Sequence, residues 1–255
     1  MNPGGDFLHL LQEGGLLPKP VERTIAVEPS QPVLQVHGTT VLALKYDHGI
    51  LNVGDRRATS ENMVIFDHAD KIVPLDDYTL LAISGSYAKA MEVVRYLQHA
   101  FKYYRRSQLQ EISIEGKVNE VSRAIAANLP NALQGLGAFL PILSTFDEKS
   151  GAGQIFFYDG MGAKFDSGDF GAAGSGSFRI RGIFDYISKT KGPFHERPLA
   201  EVLGDALVML DIAADLDAFT GGYAKVLPVA KTVSAAGIEV LSEEQLREAV
   251  ARLGK

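Results

Sequence analysis

Apolar and polar residues change their rhythm several times along this chain, and each change marks an element. Residues 1–38 keep no rhythm: Gly4, Gly5, Gly14 and Gly15 and prolines at 3, 18, 20, 29 and 32 interrupt every run. From Thr40 the pattern is that of strands, at Thr40–Tyr46 and Ile50–Val53 around a turn at Asp47-His48-Gly49, then at Tyr78–Ser84. Helical spacing follows. Ala90, Val94, Leu97, Phe101 and Tyr104 form one stripe, with Lys102, Arg105 and Arg106 at the cation-favouring end. Val118, Val121, Ile125 and Leu129 form a second, which Pro130 is expected to stop. Strand patterns resume at Ala138–Phe146 and Gln154–Tyr158, with a turn at Asp159-Gly160.

A helix is predicted from about Ser177 and another over Pro198–Leu216. The latter is apolar on two faces, through Val202, Ala206, Met209, Ala213 and Leu216 and through Leu199, Leu203, Leu207 and Leu210, so it should be covered on more than one side. The chain closes with strands at Val229–Val233 and Gly237–Leu241. A last helix has a Ser242/Gln245 capping box and ends at Gly254. This order is α+β, not the regular alternation of a doubly wound sheet. The packing it predicts is a four-layer αββα sandwich, two antiparallel sheets flanked by helix pairs.

Composition narrows the chemistry. With 255 residues, 46% hydrophobic and 22% charged, the chain fits one globular unit. There is no cysteine, hence no disulfide and no thiolate nucleophile. A net charge of −6 with interspersed signs lacks the footprint of a nucleic-acid binder. The six histidines show no ligand spacing, so no metal is expected. No apolar run is long enough for a bilayer, and residues 1–38 lack the layout of a secretory signal, so a cytoplasmic location is expected. The glycines of Gly171-Ala172-Ala173-Gly174-Ser175-Gly176 are in the wrong order for a dinucleotide loop, and Gly-Lys-Ser and Gly-Lys-Thr are absent, so no nucleotide cofactor is expected.

The candidate chemistry centres on Gly38-Thr39-Thr40. A Thr pair opening an apolar run is an ordinary strand start. Cleavage after Gly38, however, would give Thr39 a free amine beside its hydroxyl, a base and a nucleophile in one residue. Three later pieces bear on the choice, each with a plainer reading: Gly54-Asp55 as a charged turn, Lys71 as a solvated edge lysine, Ser84-Gly85-Ser86 as a helix cap. A Lys71 ammonium would lower the pKa of the Thr39 amine, Asp55 would hold that lysine, and the Gly85 N–H could stabilise an oxyanion.

Together these residues resemble the proteasome β-subunits among the N-terminal-nucleophile hydrolases, closest to the actinobacterial type. The resemblance runs through Gly38-Thr39-Thr40, Gly54-Asp55-Arg56-Arg57-Ala58-Thr59, Lys71-Ile72, Ser84-Gly85, Gly174-Ser175-Gly176-Ser177 and Asp217-Ala218-Phe219-Thr220-Gly221-Gly222. It implies a propeptide over 1–38 and a hydrolase domain over 39–255, Thr39 as nucleophile and base, Asp55 and Lys71 as its tuners and Gly85 as oxyanion donor. Ser175, Asp217 and Thr220 would support the Thr39 amine, and Thr59 would bind substrate backbone as an added strand. Ala58, Ala69, Val73, Ile83 and Tyr87 are read as an apolar specificity pocket, or as core. The implied partners are proteasome α-subunit rings, other β-subunits in a homo-heptameric ring, an ATPase unfoldase ring and unfolded or tagged protein substrates. Alternatives are a non-catalytic ring subunit, a bacterial two-component protease subunit and a small-molecule amidase of the same fold.

Overall fold

The computed structural model describes residues 38–60, 63–135 and 137–254. The leader read over 1–38 therefore lies outside the described residues except for Gly38.

The first sheet is built around β1 (Thr40–Tyr46), paired antiparallel with β2 (Gly49–Gly54) on one side and with β10 (Phe170–Gly174) on the other. β11 (Val229–Ser234) and β12 (Gly237–Val240) extend it, giving the order β10-β1-β2-β11-β12. The second sheet runs β5 (Ile72–Asp76), β6 (Thr79–Ala82), β7 (Ile142–Asp147), β8 (Ala152–Tyr158), β9 (Lys164–Ser167), also antiparallel. A separate two-stranded ribbon pairs β3 (Ala58–Ser60) with β4 (Met63–Phe66).

Side-chain alternation along the strands explains the layers. Val41, Ala43 and Ile50 of the first sheet pack against Ile72, Leu80, Ala82, Ile142 and Ile155 of the second. The alternate residues Leu42, Leu44, Leu51 and Val53 face Phe184, Leu207 and Leu210, on α3 (Ser177–Lys191) and α4 (Leu199–Leu216). On the far side, Leu81, Ile83 and Leu143 face Val94, Leu97 and Val121, on α1 (Tyr87–Gln108) and α2 (Ile114–Leu133). The result is the expected αββα sandwich. β1 reads as an almost unbroken apolar run because both of its faces are covered.

The two apolar faces of α4 are likewise both used, against the first sheet, α3 and α5 (Glu243–Arg252). The Ser242/Gln245 capping box of α5 forms, each side chain bonding the other residue's backbone N–H. Asp159 closes the β8–β9 hairpin by accepting from the N–H groups of Met161 and Ala163.

Two expectations change. Pro130 does not stop its helix: α2 continues to Leu133. The proline stands in the last turn, where its missing N–H forfeits one bond to Ala126, and the Asn128 amide ties that turn down by donating to Gly137 O at 2.7 Å. The strand predicted from Ala138 starts at Ile142, preceded by a single bridge between Phe139 and Gly85. The short strands β4, β5, β9 and β10 went unpredicted, and the glycine string 171–176 falls largely within β10. No helix among the described residues is long and apolar enough to cross a membrane.

Candidate active site

Register brings distant residues to the start of β1. Thr40 stands opposite Gly174, the end of β10, and Val41 opposite Gly54, the end of β2. The residues that leave those strands, Ser175 and Asp55, therefore flank Thr39-Thr40. The loop after α4 adds Asp217 and Thr220.

The hydrogen bonds form a directed chain. Thr39 N–H lies 3.4 Å from Ser175 Oγ, Ser175 donates to Asp217 Oδ2 at 2.5 Å, and Thr220 donates to the same oxygen at 2.6 Å. A hydroxyl has one proton to give. Thr220 has spent its own on Asp217, so in the 2.7 Å contact between the two threonine hydroxyls Thr40 is the donor. By the same count Ser175 is free to accept from the Thr39 nitrogen. Both threonines thus feed one carboxylate.

On the other side Asp55, fully buried, accepts from Thr40 N–H at 2.8 Å, Arg57 N–H at 3.0 Å and Gly221 N–H at 3.1 Å. Its fourth partner is Lys71 Nζ, 2.8 Å from Oδ1, which also donates to Arg57 O at 2.6 Å. Lys71 is only 2% exposed, so the reading as a solvated edge lysine fails. Burial pushes its ammonium below the ordinary lysine range, with the Asp55 carboxylate opposing that shift. The buried Lys71 ammonium and the Thr40 N–H thus share one oxygen, Asp55 Oδ1.

Two glycines shape the junction. Gly174 has φ +100, and a side chain there would run into the Thr39 carbonyl. Gly38 packs on Phe219 so closely that a Cβ would lie 1.6 Å from the Phe219 Cβ. Gly174→Ala should therefore cost ~1–3 kcal/mol from left-handed strain alone and displace Thr39 further. Denaturant unfolding would show a lowered midpoint, and the variant would lose whatever chemistry Thr39 performs.

The other predicted residues are placed less directly. Gly85 has φ +92 and bridges Phe139 through bonds made by Ser86 N–H and Leu140 N–H, which leave its own N–H out of that pairing. It connects to the cluster through the backbone, where Ile83 N–H donates to Lys71 O at 2.7 Å. Thr59 is buried on the ribbon strand β3 beside Ala58. Within the pocket set, Ile83 and Val73 belong to the core between the second sheet and its helices, and Ala69 is buried. Tyr87 is partly exposed, its hydroxyl donating to Asp70 O at 3.4 Å.

Sequence reasoning passed over Thr40 and gave Arg57 no role. Arg57 donates from its guanidinium to Ala218 O and Thr220 O, both at 3.3 Å, tying the Asp217 loop to the Asp55 strand. No local signal could show this, since its partners are more than 160 residues away in sequence. A cavity of about 680 Å³ lies elsewhere, between α4 and α5. Its buried charges are already paired, Asp205 with Lys191 at 2.6 Å and with Arg197 at 2.7 Å.

The chain has relatives of known family. Residues 35–226 match the family model described as proteasome subunit. The chain belongs to the proteasome subunit family. It is 34% identical over 246 residues to "Proteasome subunit beta 2" of Thermomonospora curvata, covering 95% of this chain and 85% of that protein. It is also 34% identical over 243 residues to "Proteasome subunit beta" of Acidothermus cellulolyticus, covering 92% and 80%. A third such subunit, from Stackebrandtia nassauensis, is 34% identical over 223 residues, covering 85% and 77%. In this proteasome-family chain the matched span holds every residue of the Thr39 cluster and ends before β11.

Proposed function

We propose that this chain is the threonine endopeptidase subunit of a self-compartmentalised protease, and that it cuts itself between Gly38 and Thr39. The observation that carries the reading is the buried Lys71–Asp55 pair, bonded through Asp55 to the residue after Thr39. An ammonium buried there disfavours a second positive charge nearby and would keep a freed Thr39 amine neutral near pH 7. The amine would take the hydroxyl proton as Thr39 Oγ1 attacks a peptide carbonyl, then give it to the departing amine. The acyl-ester left on Oγ1 would be hydrolysed by water. Gly85 N–H is the proposed oxyanion donor, and Ser175, Asp217 and Thr220 would orient the amine.

Self-cleavage would be attack of Thr39 Oγ1 on the Gly38 carbonyl without the amine as base: the Gly38–Thr39 amide exchanges for an ester, the hydroxyl proton ends on the released Thr39 nitrogen, and water opens the ester. Until then the Thr39 nitrogen is an amide and cannot act as a base. Activity therefore waits for processing, which protects an unassembled subunit. The leader 1–38 is in this reading a propeptide and 39–255 the working domain. Thr59, with Ala58, Ala69, Val73, Ile83 and Tyr87, would seat the substrate strand and an apolar side chain before the cut. Assembly would be a homo-heptameric β ring against α-subunit rings, fed unfolded or tagged proteins by an ATPase ring in the cytoplasm.

Short fluorogenic peptides with an apolar residue before the cut test this, with and without an α partner. Hydrolysis that depends on Thr39 supports the reading; a processed, assembled ring without any hydrolysis would make the chain a structural ring subunit instead. The pH profile carries a further expectation. Asp55→Asn removes the group that holds the Lys71 proton against burial, so Lys71 should no longer depress the Thr39 amine and the acid limb should move to higher pH. An unchanged limb in that variant would contradict the role given to Lys71.

A further inference from the structure

Among the described residues three lysines are buried: Lys71, Lys117 and Lys231. A buried ammonium is expensive unless paired, so where its bonds go indicates what it is for. Lys231 stands on β11 between Val229 and Val233, on the face whose Val233 packs into the layer between the sheets. Its ammonium crosses that layer to the second sheet. There Nζ donates to Asp70 Oδ2 at 2.7 Å and to Ile72 O at 2.5 Å. Asp70 Oδ1 in turn accepts Ile72 N–H at 3.1 Å. The two residues so clamped are the neighbours of Lys71 on either side.

We infer that Lys231 is a positioning residue for the proposed active site, a strap from the first sheet that fixes the Asp70–Ile72 corner and thereby the reach of Lys71 to Asp55. The inference rests on the function proposed above. Lys71 needs such a strap because it precedes β5, an edge strand with only β6 beside it in the sheet. One bond from Ile83 N–H to Lys71 O holds the backbone on that side, and Lys231 holds the other. The charged groups around Lys71 are Asp55, Arg57 and Asp217, and the one paired with Lys231 is Asp70, so Lys231 acts on Lys71 through the backbone.

Lys231→Met keeps the length of the chain and removes the charge. It should lower kcat about ten- to a hundredfold with KM nearly unchanged, since a 1 Å misplacement is enough for that. It should also move the acid limb of the pH profile upward, because a misplaced Lys71 no longer depresses the Thr39 amine. Lys231→Arg, which keeps a cation, should recover part of kcat. Lys117→Met is the control: Lys117 pairs with Asp76 at the opposite end of the same strand, at 2.8 Å. It should destabilise the fold yet leave kcat and the acid limb alone. A wild-type profile in Lys231→Met, or the same shift in Lys117→Met, would overturn the inference. If the wild-type protein shows no Thr39-dependent hydrolysis, the functional reading fails instead. A crystal structure of Lys231→Met then decides separately: Lys71 Nζ beyond about 4 Å from Asp55 supports the strap, and an intact pair refutes it.

Discussion

Replacing Thr39 by alanine should abolish peptide hydrolysis, by more than about 10⁴-fold, and leave residues 1–38 attached. The size of the effect follows from what one residue supplies. Thr39→Ala removes the hydroxyl proposed to attack, and by blocking the proposed self-cleavage it would also deny the site the free amine proposed as base. Nothing else in the cluster can substitute. Ser175 and Thr40 donate their hydroxyls to Asp217 and Thr220, and neither bears the α-amine that Thr39 would gain on cleavage. The loss would not come from unfolding, since the backbone N–H of residue 39 still faces Ser175 and β1 keeps both of its neighbours. Peptidase assay and thermal melting on the same sample separate the two explanations. Hydrolysis that survives in a folded Thr39→Ala protein would end the proposal.

Lys71→Ala should be nearly as damaging, for a reason that also touches stability. It leaves the fully buried Asp55 carboxylate without its cation. Stranding a buried charge typically costs ~3–5 kcal/mol. Asp55 retains three backbone N–H donors, from Thr40, Arg57 and Gly221, so the lower end of that range is expected. Catalysis should fall about 10²- to 10⁴-fold, the usual worth of acid–base assistance. With the ammonium gone, the residual activity should have its acid limb at higher pH, because the Thr39 amine returns toward its ordinary value. Lys71→Arg should not rescue, since a planar guanidinium cannot meet both Asp55 Oδ1 and Arg57 O as the compact ammonium does. Denaturant unfolding and a pH–rate series check the two halves independently. A normal profile would contradict the role assigned to the lysine.

What could be read from the sequence divides along a physical line. Periodicity located the long helices and the strands buried on both faces, because there the pattern of apolar residues is set by packing within a few turns or along one strand. It missed β5, β9 and β10, which are short and carry proline, charges or glycines, and which exist because longer strands pair with them. Pro130 misled for a similar reason: the rule describes a helix alone, whereas Asn128 anchors this one to Gly137.

The candidate site was legible as residue types in order. Thr39, Asp55 and Lys71 could be named because each sits at a strand boundary beside a short motif, and the structure brings Asp55 and Lys71 together at the start of β1. The donor order through Ser175, Asp217, Thr220 and Thr40 could not be foreseen. It depends on register between β1 and β10 and on a loop 180 residues from Thr40. Lys231 was invisible for the same reason. In the sequence it is one lysine in a strand, and only the packing of two sheets shows that it grips both neighbours of Lys71.

The central claim is that the active site is encoded in this chain but completed only when the bond before Thr39 breaks. Intact-mass measurement with N-terminal sequencing on active protein tests that most directly. The account predicts that the active species has lost residues 1–38 and begins Thr39-Thr40-Val41-Leu42, while Thr39→Ala keeps its leader. Active protein that still carries the Gly38–Thr39 bond, or that begins at another residue, would contradict it.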